Sequence, residues 1–242
     1  MTVTGACPGT VFVQVGAGVP SAIPVLAGGA FGGLLYAKFG KSLQTKVASE
    51  TPCDANSLTV PSKLNWNPNL VLLGFEALLL SGIAAAAELQ SSPSNLTNPI
   101  LGGLAIGASQ LASVVLTGRP LGISAAFDEF GQWTWRFVDF VTGNSKESSA
   151  LPNSSSLNFA AGVTLGAFAF AKAFPQPVSL YIIPISPSTA FLGSVMMIFG
   201  SRMAGGCTSG HGISGMSLFS LSSFYTVIAM FIGGFGLASV LH

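Results

Sequence analysis

Residues 201–215, SRMAGGCTSGHGISG, form a polar, glycine-rich run set inside one of the most apolar parts of the chain. Neither flank, 189–200 before it nor 216–241 after it, carries an acidic or basic side chain. A run of that composition belongs in water, yet its neighbours belong in lipid. Non-helical backbone persists at membrane depth only where protein buries it or where it lines a wet cavity, because hydrocarbon offers a free amide no hydrogen-bond partner. The run is therefore read as the wall of a pore or substrate site.

The rest of the chain supports a membrane setting. Charged residues make up 7% of the 242, hydrophobic residues 50%, and the mean hydropathy is +0.66, far from the balance of a soluble domain. Residues 1–37 and 89–118 contain no charge, and about 20 apolar residues suffice for one helix to cross a bilayer. The expected fold is an all-α polytopic protein of the cell membrane, with about six spans in a single transport domain covering 1–242. The 30 glycines and 14 prolines suggest broken or closely packed helices. A net charge of +1 gives no argument for nucleic acid, and the partner it does imply is the lipid bilayer. No Lys or Arg stands in the first twenty residues, so no signal-peptide n-region is present, and Thr4-Gly5-Ala6-Cys7 lacks the preceding apolar segment of a lipoprotein site.

In order, the chain opens on a second glycine-punctuated run with one cysteine, 4–18 (TGACPGTVFVQVGAG), followed by an apolar segment over 20–36. This beginning matches the end of the chain. Gly5-Ala6-Cys7 stands against Gly205-Gly206-Cys207, and Gly29-Ala30-Phe31-Gly32 against Gly233-Gly234-Phe235-Gly236. The pattern is two copies of one unit, a motif and then a helix. Between them lie a polar loop (38–67), spans at 68–89 and 99–117, the run GRPLGISAA at 118–126, an amphipathic stretch at 127–141, a loop at 142–158, and spans at 159–174 and 188–203, each bounded by Pro, Asn or Gly. Lys38, Lys41, Lys46 and Lys63 place the 38–67 loop inside. Counting crossings puts Arg119, Arg136, Lys146 and Arg202 inside too, with the sequons at Asn95 and Asn153 on opposite sides. The two cysteine motifs then enter from opposite faces, as an inverted repeat with a site near the midplane.

At these residues the chain resembles the YeeE/YedE family of sulfur transporters. The resemblance rests on Ser201-Arg202-Met203-Ala204-Gly205-Gly206-Cys207-Thr208-Ser209-Gly210-His211-Gly212, on Gly118-Arg119-Pro120-Leu121-Gly122-Ile123-Ser124, and on Gly5-Ala6-Cys7-Pro8-Gly9. It implies inverted repeats with short re-entrant helices, uptake of thiosulfate or a related sulfur anion along a line of cysteines, and a TusA-like sulfurtransferase as partner. Carried over by motif, Cys7 and Cys207 are the matching cysteines, with Pro8 and Gly9 beside the first. Family members carry a further N-terminal segment ahead of the Cys-Pro motif, so this chain is expected to be a fragment or shortened product with weak stability or transport alone.

The chemistry of the residues is compatible with such a substrate. Thiosulfate is a small dianion with a soft terminal sulfur. Unsatisfied amides of short helices carry partial positive charge, and Gly205, Gly206, Gly210 and Gly212 allow backbone to approach a ligand. Thr208, Ser209 and Ser124 offer hydroxyl donors beside Gly122, while thiols offer polarizable contacts. Glu76 lies midway in an apolar span and is read as a proton-coupling group or a carboxylate held inside the bundle. Arg119 and Arg202 each read as an anion attractor or a positive-inside anchor. His211 reads as a donor in the site or a helix cap. Lys172 is expected to snorkel, and Cys53 to be incidental.

Two other classes share some of these features. A membrane thiol oxidoreductase would explain cysteines in a bundle, but no Cys-x-x-Cys pair occurs. An hourglass channel for small neutral solutes would share opposed dipping loops. Three Cys and two His at no ligand spacing give no metal site, and no catalytic group or cofactor is expected.

Overall fold

The structure is a computed structural model that describes residues 2–40, 59–89, 99–118, 122–143, 154–174 and 185–241. Lys41, Lys46, Cys53, the sequon asparagines Asn95 and Asn153, Arg119 and Lys146 lie outside the described residues. Within them the chain is helical, and the β-type pairing is an isolated bridge between Thr59 and Ser220. The helices are α1 (Thr10–Gly16), α2 (Ala22–Leu35, continued by a π turn over Tyr36–Gly40), α3 (Val60–Leu64), α4 (Pro68–Leu89), α5 (Pro99–Thr117), α6 (Ala125–Val141), α7 (Ser155–Ala173), α8 (Pro187–Met203) and α9 (Leu221–Leu241). A π-helix, Gly210–Gly215, precedes α9.

Among the described residues a helix stands at each of the six expected spans. Ala22–Gly40, Pro68–Ala85 and Leu221–Val240 are long and apolar enough to cross a membrane, and Gly102–Leu116 is a shorter apolar stretch. The other two are shorter in apolar length for visible reasons: α7 begins Ser-Ser-Leu-Asn and ends near Lys172, and α8 contains Ser194, Ser201 and Arg202. The starts follow local chemistry. Pro68, Pro99 and Pro187 each open a helix, where the missing N–H costs nothing. Ser186 accepts from Thr189 N–H at 3.3 Å to cap α8.

The packed centre is α2. It lies against α8 on one side and α6 on another, while α1 packs on α7 and α6 on α7. Glycine makes these crossings possible. A methyl group on Gly28 would strike the Phe191 carbonyl of α8, and one on Gly33 would strike the Phe127 carbonyl of α6. Small residues let helix backbones approach in lipid, where no hydrophobic effect drives helices together and van der Waals contact must do so. Ser194 donates to the Val25 carbonyl across the α2–α8 joint. By contrast α4 is unburied over 68–85 and touches the fold through Phe75, which meets Phe219 and Phe224 edge-on.

Candidate functional site

Both cysteines sit two residues after a left-handed glycine. Gly5 has φ +62° and Gly205 has φ +81°, a conformation that costs other L-residues about 1–2 kcal/mol. Each chain then turns through its cysteine into a short helix. At the first, the Cys7 N–H donates to Thr10 Oγ1 at 2.7 Å and the Thr10 N–H donates to Cys7 Sγ at 3.3 Å. This is a reciprocal capping box with a thiol in place of the usual hydroxyl. Pro8 is buried behind it.

The second cysteine, Cys207, is 1% exposed, and its Sγ lies 3.0 Å from Ser209 Oγ. The two motifs meet. A methyl group on Gly9 would lie 3.2 Å from Ile123 Cγ2, 3.5 Å from Ser209 Oγ and 3.8 Å from Cys7 Sγ. One on Gly210 would lie 3.8 Å from Cys207 Sγ. Gly9 is thus the point at which three segments converge: the Cys7 turn, the Gly122-Ile123-Ser124 run and the Cys207 turn. A larger residue there would separate them. Both thiols are free. Ser124, next after Ile123 at the start of α6, is buried, and its side chain makes no cap hydrogen bond.

The backbone N–H of His211 donates to the Cys207 carbonyl at 2.9 Å, and the His211 ring bonds elsewhere. Its Nε2 is 3.1 Å from the Ala204 carbonyl and its Nδ1 is 3.0 Å from Ser223 Oγ. A carbonyl oxygen only accepts, so Nε2 carries a hydrogen, and Nδ1 of the neutral ring accepts from the Ser223 hydroxyl. The imidazole thereby ties the turn before Cys207 to the first turn of α9. Gly206 and Gly215 clear the space for it: a methyl on Gly206 would lie 3.0 Å from Nε2, and one on Gly215 would strike Ser223 Oγ. Two of the glycines in the run thus serve side-chain packing.

Arg202 lies at the joint of α6, α8 and the π turn. Its Nη2 is 3.5 Å from Asp128 Oδ2, and its guanidinium sits 5.4 Å from the centre of the Tyr36 ring. Gln132 Nε2 donates to the same Asp128 oxygen at 3.0 Å. The adjacent Glu129 accepts from the Ser156 N–H at 3.0 Å and the Leu157 N–H at 3.0 Å, a carboxylate on the positive end of α7. Sequence reasoning missed Asp128 and Glu129. The available signal was two adjacent carboxylates within an amphipathic stretch directly after the 118–126 run, because a buried carboxylate among apolar helices needs a partner.

Of the remaining expected residues, Thr208 is half-buried next to Cys207, and Gly122 is exposed with nothing within 4 Å of where its Cβ would stand. Glu76 is exposed on α4, apart from the convergence. Lys172 is exposed near the end of α7, its Nζ 5.7 Å from the Phe168 ring centre. Among the described residues no three His, Cys, Asp or Glu side chains group to hold a metal ion.

Comparison with known proteins gives the family. The family described as "Sulphur transport" matches residues 1–236. Two proteins of Xylella fastidiosa, from strains 9a5c and Temecula1 and each named "Probable transporter", are 30% identical to this chain over 141 residues. The match covers 58% of this chain and 91% of each relative. The chain belongs to the sulphur transport family of membrane proteins.

Proposed function

We propose that this multi-pass protein of the cell membrane carries thiosulfate, or a closely related sulfur-containing anion, inward past its two cysteine motifs. The observation that supports this most is the convergence at Gly9, where Ser209, the partner of Cys207, comes up against the turn that holds Cys7. The Cys7 thiol and the Ser209 hydroxyl lie at Gly9, the Cys207 thiol lies against Ser209, Ser124 follows Ile123 in the chain, and the residues of both motifs include no carboxylate. That set suits an anion with a soft sulfur: hydroxyls donate to the oxygens, and polarizable thiols contact the sulfur. Transport requires binding weak enough to release, and thiols are weak donors. Arg119 and Arg202 draw anions toward the inner side, Gly122 leaves the approach open, and Thr208 adds a donor. A TusA-like sulfurtransferase is the partner on that side.

The test is labelled thiosulfate uptake in cells that lack their own route, normalised to inserted protein. Cys207→Ser keeps a donor of similar shape without the sulfur, and Cys207→Ala removes both. Both variants are expected to insert normally and to lose most uptake, as is Cys7→Ala, with no sensitivity to reductant. Full activity in Cys207→Ala would overturn the reading and leave a channel for small neutral solutes as the better account.

A further inference from the structure

The Arg202–Asp128 pair is poorly made for a purely structural ion pair. A guanidinium presents a planar fork that matches a carboxylate with two parallel hydrogen bonds, usually near 2.7–2.9 Å. Here a single contact spans 3.5 Å, and the carboxylate oxygen it reaches is already engaged by Gln132 at 3.0 Å. Arg202 Nε is buried with no hydrogen-bond partner among the described residues. Burying such a pair is costly, and apolar packing commonly replaces it without loss of stability. The α2–α8 joint, built from glycine and apolar contacts, shows that this bundle has that alternative.

Position gives the pair a second meaning. Asp128 follows Ser124 by one turn of α6, about 6 Å along the helix axis, and Ser124 follows Ile123, whose side chain touches the Gly9 position where the cysteine motifs meet. Arg202 is in the last turn of α8, and its carbonyl accepts from the Gly205 N–H at 3.2 Å. Asp128 thus lies one helical turn beyond Ser124 and Arg202 five residues before Cys207, and the cation has a donor left over.

Resting on the thiosulfate reading above, we infer that Asp128 is an internal counter-anion that holds Arg202 until substrate arrives. The sulfonate oxygens of the incoming dianion take the guanidinium while its terminal sulfur lies toward the thiols. The Asp128 carboxylate, left facing a dianion, then competes for the same cation and speeds release. The ring of Tyr36 keeps the guanidinium in place through both states. Asp128 thus sets the balance between capture and release.

The experiment is the concentration dependence of thiosulfate uptake for wild type, Asp128→Asn, Arg202→Gln and the double variant, each normalised to inserted protein. Asp128→Asn should lower KM about 5-fold or more and also lower Vmax, because capture tightens and release slows. Arg202→Gln should raise KM about 10-fold. The double variant should follow Arg202→Gln, because the cation that Asp128 and the substrate share is gone. Should Asp128→Asn insert poorly, the double variant and Arg202→Lys still decide: Lys keeps the charge and should recover part of the loss in KM. An unchanged KM in Asp128→Asn, or a double variant that regains wild-type KM along with abundance, identifies a structural pair and overturns the inference alone. Wild-type uptake that does not saturate, or full activity in Cys207→Ala, instead overturns the thiosulfate reading and the inference with it.

Discussion

Helices α2 and α9 share a sequence grammar and differ in their surroundings. Each is preceded by a left-handed glycine, a cysteine and a short helical segment, and each carries Gly-x-Phe-Gly. Yet the span at the first is 39% buried and the span at the second 6%. Gly28 and Gly33 meet backbone carbonyls of α8 and α6, whereas Gly233 and Gly236 have nothing within 4 Å of a Cβ position. A repeat in sequence thus reproduces local backbone geometry without reproducing packing. A glycine is constrained by what crosses it, and the crossing helix is not encoded in the repeat itself.

The strongest way to break this comparison is to add a methyl group to each helix. Gly33→Ala drives a Cβ into the Phe127 carbonyl and should cost about 1–3 kcal/mol or more, visible as a large drop in the melting temperature of the detergent-solubilised protein. Gly233→Ala should raise helix stability by up to ~1 kcal/mol. Equal destabilisation by the two would show that α9 also packs closely. A second contrast uses carboxylates. Glu129→Ala strips the acceptor from two amides at the start of α7 and should cost about 1–3 kcal/mol, with Glu129→Gln in between. Glu76→Gln, exposed on α4, should stay within about 0.5 kcal/mol; a large loss there would place a partner on α4.

Two smaller effects sharpen what the helices have in common. Gly5→Ala and Gly205→Ala should each cost about 1–2 kcal/mol, and to a similar degree, since both occupy the same left-handed turn. A loss at one site alone would mean that the cysteine motifs are alike in composition and not in conformation. Ser223→Ala should cost about 0.5–1.5 kcal/mol by removing the partner of His211 Nδ1. That effect should vanish in a His211→Ala background, because the tie then has no second end. The cycle is read from melting temperatures of the four proteins.

Much of the molecule is legible in its sequence. The limits 68–89 and 99–117 expected from prolines and apolar length coincide with α4 and α5, because helix ends depend on residues next to one another and on bilayer thickness. The membrane class, the family and the paired cysteine motifs are legible for the same reason: they depend on composition and on short contiguous motifs. One boundary moved. α7 begins at Ser155, earlier than the expected 159, because Glu129 from another helix satisfies its first amides. Tertiary structure alone decided that Ser209 adjoins Gly9, that His211 spans Ala204 and Ser223, and that Arg202 reaches Asp128. Gly9 and Ser209 lie 200 residues apart in the chain. Such meetings depend on where helices cross, and crossings are set by which small residues face which backbone, something a one-dimensional pattern does not contain.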